Sequence, residues 1–139
     1  MTAFVDTSVY LRRLLKQPGA FTNWSSWNSV VASELLRVEA RRVLDRLRLR
    51  GAVGDDELGE LNRLLQVSFK ALDFVRLSRA VLHRAADPFP TALGTLDAIH
   101  LASALLWMEE KGGELTFLTH DTQLAVAARA CGLDVQTNP

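Results

Sequence analysis

Two aspartates in this sequence stand directly after strand-like apolar segments and directly before helical patterns. Residues 3–6 predict a strand that ends on Asp6, and Asp121 comes two residues after Thr119, at the end of a second such segment. In open α/β sheets, ligands collect outside the carboxyl ends of the strands, so both carboxylates could face a ligand. Each could also be a plain helix N-cap that accepts backbone N–H bonds. Taken alone, these two positions leave both interpretations open.

Two further acids interrupt apolar helical patterns. Asp97 lies in the first turn of an apolar helix, where the helix dipole tolerates a carboxylate, but its apolar neighbours keep it near the core. Glu39 shares one helical stripe with apolar residues, and such breaks in a pattern are expected at functional sites. The alternatives are that Asp97 is an ordinary first-turn acid and that Glu39 pairs with a nearby arginine such as Arg42. The apolar residues of the stripe are Leu36, Ala40 and Val43.

These acids would define a metal site if they converged. Clustered carboxylates repel one another, so some would stay protonated unless a cation were present. Oxygen ligands without cysteine or paired histidines select Mg²⁺ or Mn²⁺, and such ions support hydrolysis of a phosphodiester. The four acids are Asp6, Glu39, Asp97 and Asp121. The hydroxyls that could support them by hydrogen bonds are those of Thr7, Ser8 and Thr119.

Arginines crowd the helix that carries Glu39 and could hold a phosphate backbone, with Arg42 as the candidate substrate contact. The alternative is a solvated helix face with intrahelical ion pairs. His100 follows Asp97 by one helical turn and could support it, although a buried structural histidine is favoured, and His120 is expected to be exposed at the pocket rim. Asp73 competes for a place in the site, because it also is predicted to end a strand.

The elements that must position these residues alternate between strands and helices. Strands are predicted at residues 3–6, 29–32, 69–72 and 115–119, with an edge strand at 133–136. Helices are predicted at residues 8–16, 33–50 with Ser33 as the cap, 54–67, 74–86, 95–111 and 121–130. Short apolar strands that alternate with helices indicate a parallel sheet covered on both faces. We therefore expect one three-layer α/β/α domain over residues 1–139, with a short parallel sheet of four to five strands flanked by helices.

The composition supports a packed domain and limits the possible partners. The chain is 48% hydrophobic, so a real core is expected, and its formal net charge is zero, which argues against nucleic-acid binding by overall charge alone. A local basic patch remains compatible with this charge. The single cysteine, Cys131, excludes an intrachain disulfide and fits a reducing, cytoplasmic setting. No signal peptide or membrane span is expected from the apolar patterning.

The four acids fall within four segments that resemble a known family. The chain is similar to the PIN-domain ribonucleases, specifically the VapC toxins of prokaryotic toxin–antitoxin pairs. The segments follow the order of the family and span nearly the whole chain. They are FVDTSVYL around Asp6, SELLRVEARR around Glu39, TLDAIHLASAL around Asp97 and FLTHDTQLAVAARACGL around Asp121.

The resemblance implies an activity and partners. It implies that the four acids bind Mg²⁺ or Mn²⁺, that the protein cleaves RNA, and that Ser8 and Thr119 are supporting hydroxyls. It also implies a homodimer and a cognate VapB-like antitoxin whose C-terminal segment enters the active-site groove. The family motif and the apolar stripe both select Glu39 over Glu34. The tryptophan-rich residues 24–27 lie outside the family pattern and could stack on bases or pack against the protein or a dimer surface.

Three other functions compete with a toxin ribonuclease. A phosphatase of the haloacid-dehalogenase type needs a second acid two residues after the first, where this chain has Ser8. A catalytically inactive PIN-fold module that binds RNA or protein is the main alternative, and the presence of all four acids favours the enzyme over it. A DNA or flap nuclease on the same fold is disfavoured because no helical arch is inserted.

Overall fold

The computed structural model describes residues 1–138 and contains a parallel sheet of five strands. The strand order is β3-β2-β1-β4-β5, so β1 lies at the centre and β3 and β5 form the edges. The strands are β1 (Thr2–Val5), β2 (Ser29–Ser33), β3 (Leu72–Val75), β4 (Thr116–Leu118) and β5 (Asp134–Gln136). The predicted edge strand near the C-terminus is therefore confirmed as β5.

Within residues 1–138, six α-helices and one short 3₁₀ helix connect the strands. The α-helices are α1 (Thr7–Leu14), α2 (Leu35–Leu49), α3 (Asp55–Phe69), α4 (Arg79–Ala85), α5 (Thr95–Lys111) and α6 (Thr122–Ala130). The tryptophan-rich residues 24–27 contain the 3₁₀ helix Trp24–Ser26. Among residues 1–138, no helix combines the length and the hydropathy that crossing a bilayer requires.

The side chains of β1 show how the helices cover the sheet. Successive side chains of a strand point to opposite faces. Ala3 and Val5 pack in one apolar core with residues of α1, α2 and α3, whereas Phe4 packs in a second core with residues of α5 and α6. Helix α4 packs against α5 on that second face. The architecture is thus the three-layer α/β/α fold that the sequence predicts.

The third strand and the helix after it were placed too early by the sequence patterns. The prediction of a strand at 69–72 is wrong because Phe69 is the last residue of α3, where it is buried on the same helix face as Leu65. The prediction that a helix begins at Phe74 is also wrong, since Phe74 and Val75 pair with β2. Helix α4 instead begins after Ser78, whose hydroxyl accepts a hydrogen bond from the Val81 N–H at 3.2 Å.

The start of α2 also differs from the prediction. Ser33 is the last residue of β2, and Glu34 occupies the N-cap position without a side-chain hydrogen bond. The Ser33 hydroxyl still accepts a hydrogen bond from the Leu35 N–H at 3.1 Å, so it satisfies one exposed amide of the first turn. Glu39 therefore lies in the second turn of α2, close to the carboxyl end of β2.

Candidate active site

Asp6 lies at the carboxyl end of β1 and is nearly completely buried. Its Oδ1 accepts hydrogen bonds from the Val9 N–H at 2.9 Å and from the Ser8 hydroxyl at 2.8 Å, so it is the N-cap of α1. Its Oδ2 accepts a hydrogen bond from the Thr119 hydroxyl at 2.6 Å. A carboxylate has about four lone-pair sites, so capping leaves capacity for a ligand.

Thr119 connects Asp6 to Asp121. Its buried side-chain oxygen donates to Asp6 and accepts a hydrogen bond from the Asp121 N–H at 3.0 Å. Asp121 is exposed and caps α6, with Oδ1 accepting a hydrogen bond from the Leu124 N–H at 2.8 Å. Both aspartates predicted at strand ends are thus helix caps, and one threonine holds them side by side.

Glu39 reaches the site from α2 and is held by two donors. Its Oε1 accepts hydrogen bonds from the Thr7 hydroxyl at 2.7 Å and from His100 Nε2 at 2.6 Å. Burial acts to raise the pKa of Glu39, but the hydrogen bond and charge of His100 and the hydrogen bond from Thr7 together lower the pKa below its usual value. Glu39 is therefore held as a carboxylate, and its partner is His100 rather than Arg42.

Asp97 is half-buried in the first turn of α5, and the charges of the other three acids act on its carboxyl group. Burial raises the pKa of its carboxyl group, and the negative charges of Asp121, Asp6 and Glu39 raise it further, while His100 acts in the opposite direction. The fold therefore brings all four predicted acids within electrostatic reach of one another, although they come from the beginning, middle and end of the chain.

The carboxylates of the four acids are the kind of ligand that a hard divalent cation prefers, but their oxygens do not surround a common point. Within residues 1–138, no three His, Cys, Asp or Glu side chains already form a group that could hold a metal ion. The chemistry of the set nevertheless fits Mg²⁺ or Mn²⁺, because it consists of carboxylates and one of them is destabilised by the others' charge.

Two other predicted candidates lie outside this cluster. Arg42 is largely exposed and pairs with Asp45 at 3.0 Å, and among residues 1–138 it forms no ion pair with any of the four acids. Asp73 lies within β3 rather than after it, and accepts a hydrogen bond from the Ser29 hydroxyl at 2.9 Å. A groove of about 860 Å³ lies beside β3, between α4 and the end of α5, and its lining includes Asp73 but none of the four acids.

The aromatic side chains near α1 have structural contacts. Trp24 and Trp27 are partly buried against the core beneath α1, and the Arg13 guanidinium lies 4.4 Å from the centroid of the Trp24 ring. Packing against the protein is therefore the role that the structure supports for both tryptophans. The His120 ring lies 5.1 Å from that of Phe21, and His120 is half-buried rather than exposed as predicted.

His100 is the residue whose contact was missed from the sequence. The helical spacing placed it near Asp97, but its hydrogen bonds go to Glu39 and Thr7, which lie on other helices. The distance between positions 39 and 100 along the chain hides this pairing. The available signal was a histidine in an apolar helix facing an acid in an apolar stripe, since each needs a buried polar partner.

Comparison with known proteins assigns the family. A model of the PIN domain matches residues 3–130, so the chain belongs to the PIN-domain family. The resemblance inferred from the four segments is therefore confirmed at the level of the family. No curated protein sequence matches the chain.

Solved structures of toxin–antitoxin proteins share this fold. VapBC2 from Rickettsia felis, bound to a DNA fragment from its promoter, aligns with a TM-score of 0.68 at 12% identity over 98% of each chain. FitAcB from Neisseria gonorrhoeae aligns with a TM-score of 0.64 at 17% identity over 96% of this chain and 95% of the other. A toxin–antitoxin complex from Klebsiella pneumoniae aligns with a TM-score of 0.62 at 17% identity over 87% of this chain and 88% of the other. At these identities the likeness shows the fold.

Proposed function

We propose that the protein is a Mg²⁺- or Mn²⁺-dependent endoribonuclease and the toxin of a toxin–antitoxin pair. The observation that carries this proposal is the electrostatic cluster at the carboxyl ends of β1 and β4, in which burial and the charges of three neighbouring acids raise the pKa of Asp97. Membership of the PIN-domain family supports nuclease chemistry and use of a divalent ion, because PIN domains are generally nucleases that use such ions.

The residues that would hold the ion are Asp6, Asp97 and Asp121, with Glu39 as a further ligand. The chemistry supplied by a bound Mg²⁺ or Mn²⁺ is activation of water and stabilisation of the leaving oxygen. Asp6 is oriented by hydroxyl and backbone donors on both of its oxygens. Asp97 would gain from a cation, because burial and the neighbouring negative charges both disfavour its carboxylate form and raise its pKa.

The reaction is hydrolysis of one phosphodiester bond. The oxygen of a water molecule bonds to phosphorus, the bond from phosphorus to one ribose oxygen breaks, and that oxygen takes up a proton. Glu39, ionised and held through Oε1, keeps Oε2 for the ion or for the attacking water. The carboxylates themselves repel a phosphate, so the substrate can approach only once their charge is compensated.

A protein partner follows from the same proposal. Two of the aligned structures are VapBC2 and FitAcB, and a third is described as a toxin–antitoxin complex. We therefore infer a VapB-like antitoxin as the cognate partner, and a homodimer as the assembly.

Cleavage of RNA by the purified, partner-free chain tests the proposal. We expect single-stranded RNA to be cut with Mg²⁺ or Mn²⁺, cutting to stop when a chelator is added, and DNA of the same sequence to remain intact. If RNA stays intact with both ions, the inactive RNA- or protein-binding module becomes the better description. If DNA is cut in preference to RNA, a DNA nuclease becomes the better description.

A further inference from the structure

The hydrogen bonds between Thr7, Glu39 and His100 have a defined direction. The Thr7 hydroxyl donates its single proton to Glu39 Oε1, so toward His100 it can only accept. Glu39 is a carboxylate and also accepts. His100 Nε2 therefore carries a proton and donates it to Glu39 Oε1 at 2.6 Å, with a weaker second contact to the Thr7 oxygen at 3.3 Å.

The other ring nitrogen of His100 has no such contact. The His100 side chain is only 2% exposed, and among residues 1–138 its Nδ1 has no hydrogen-bond partner. A buried polar atom without a partner destabilises a fold by about 1–3 kcal/mol. An apolar residue of similar size would avoid this cost, so packing alone does not explain a histidine here. What distinguishes His100 from an apolar residue is the donor at Nε2.

This donor fixes which Glu39 oxygen stays available. Oε1 accepts from both Thr7 and His100, and no side chain within residues 1–138 donates to Oε2. Thr7 follows Asp6 directly and His100 lies one helical turn after Asp97. The two donors thus tie Glu39 to the elements that carry two other acids of the cluster.

We propose that His100 is a positioning residue, which holds Glu39 through Nε2 so that Oε2 is presented to the divalent ion or to the attacking water. The inference rests on the proposed function, and extends it by a residue that does not itself contact the substrate. Its chemical requirement is one N–H donor at the position of Nε2, without need for the ring or for Nδ1.

Two amides of different length separate this role from a structural one. In H100Q the side-chain amide nitrogen reaches the position of Nε2, whereas in H100N it reaches only that of Nδ1. We expect H100N to weaken Mn²⁺ binding, measured by calorimetry, and to lower kcat for RNA cleavage by about 10- to 100-fold, the usual scale for such outer contacts. H100Q should retain the Mn²⁺ affinity and the kcat of the wild type, and KM for RNA should change in neither variant. If H100N does not fold, H100M replaces it and should show the same losses.

The outcomes separate this inference from the proposed function. Wild-type Mn²⁺ affinity in folded H100N or H100M overturns the positioning role, as does equal impairment of H100Q and H100N in proportion to lost thermal stability. Absence of Mn²⁺ binding by the wild type also overturns it. If the wild type binds Mn²⁺ but cuts no RNA, the proposed function fails, while the affinities of H100Q and H100N still decide the role of His100.

Discussion

At the residue scale, a helix cap and a metal ligand are compatible tasks for one carboxylate. Asp6 and Asp121 accept the backbone N–H bonds expected of N-caps, and a single hydroxyl, that of Thr119, joins them. The backbone bonds fix the position of each side chain at a strand end. The sequence could identify both acids as candidates, but it could not show that capping orients them for a ligand.

Replacing Asp97 by asparagine should stabilise the metal-free protein at neutral pH. Because the folded-state pKa of Asp97 lies above its ordinary value of 3.8, the unfolded chain loses this proton first as pH rises. The wild type therefore loses stability from pH 3.8 up to the folded pKa, and the loss persists at neutral pH. In chelator, D97N should unfold with a free energy higher by up to about 1 kcal/mol at pH 7, with the difference vanishing below pH 3.8.

Asp73 provides the matched control for this measurement. It is an exposed acid in β3 and not in the cluster. D73N should show no comparable gain at neutral pH. If D97N is less stable than the wild type at pH 7, or if the difference does not depend on pH, burial and the neighbouring acids do not raise the pKa of Asp97 as described.

At the scale of elements, the errors of the sequence interpretation have a common cause. Phe69, Phe74 and Val75 are apolar residues that suit either a helix or a strand, so local periodicity could not place the boundary between α3 and β3. The pairing of Phe74 with Ala32 in β2 places Phe74 in a strand, and this contact joins residues far apart in the sequence. By contrast, the end of α5 at Lys111 was predicted correctly, because Gly112 follows it and adopts the left-handed conformation that ends a helix.

Removing the cap of α4 tests the corrected boundary. The Ser78 hydroxyl accepts the hydrogen bond that begins this helix. S78A should lower the free energy of unfolding by about 1 kcal/mol, as loss of an N-cap typically does. Urea denaturation measures the change. S25A, which removes an exposed hydroxyl in the 3₁₀ helix, is the control and should have little effect. Equal stability of S78A and wild type would place the start of α4 elsewhere.

At the scale of the whole molecule, sheet topology assembles the site. Strands β1 and β4 are neighbours, and their register pairs Val5 with Leu118. Asp6 and Thr119 follow these paired residues directly, which explains why they meet although they lie 113 positions apart. Local patterns could place each acid at a strand end or on a helix face, but not determine which strands are adjacent. The family resemblance implied that the four acids form one site, but the strand order comes from the structure.

The proposed homodimer is a prediction about the assembly of the whole molecule. The purified chain should sediment at micromolar concentration with twice the 15.4 kDa mass of one chain. Large apolar side chains remain exposed on several helices, including Val38, Leu49, Val67 and Leu82, so apolar surface is available for such an assembly. A species with the mass of one chain at that concentration would contradict the dimer, without bearing on the four acids.

The cleavage rate of D97N tests the central claim most directly. Asparagine keeps the size of the side chain but removes the negative charge that Asp97 would offer to a divalent ion. With Mn²⁺ and single-stranded RNA, we expect the wild type and the control D73N to cleave at equal rates, and folded D97N to lose at least about 100-fold in kcat, the scale of removing an essential catalytic contact. Cleavage by D97N at the wild-type rate would contradict the account.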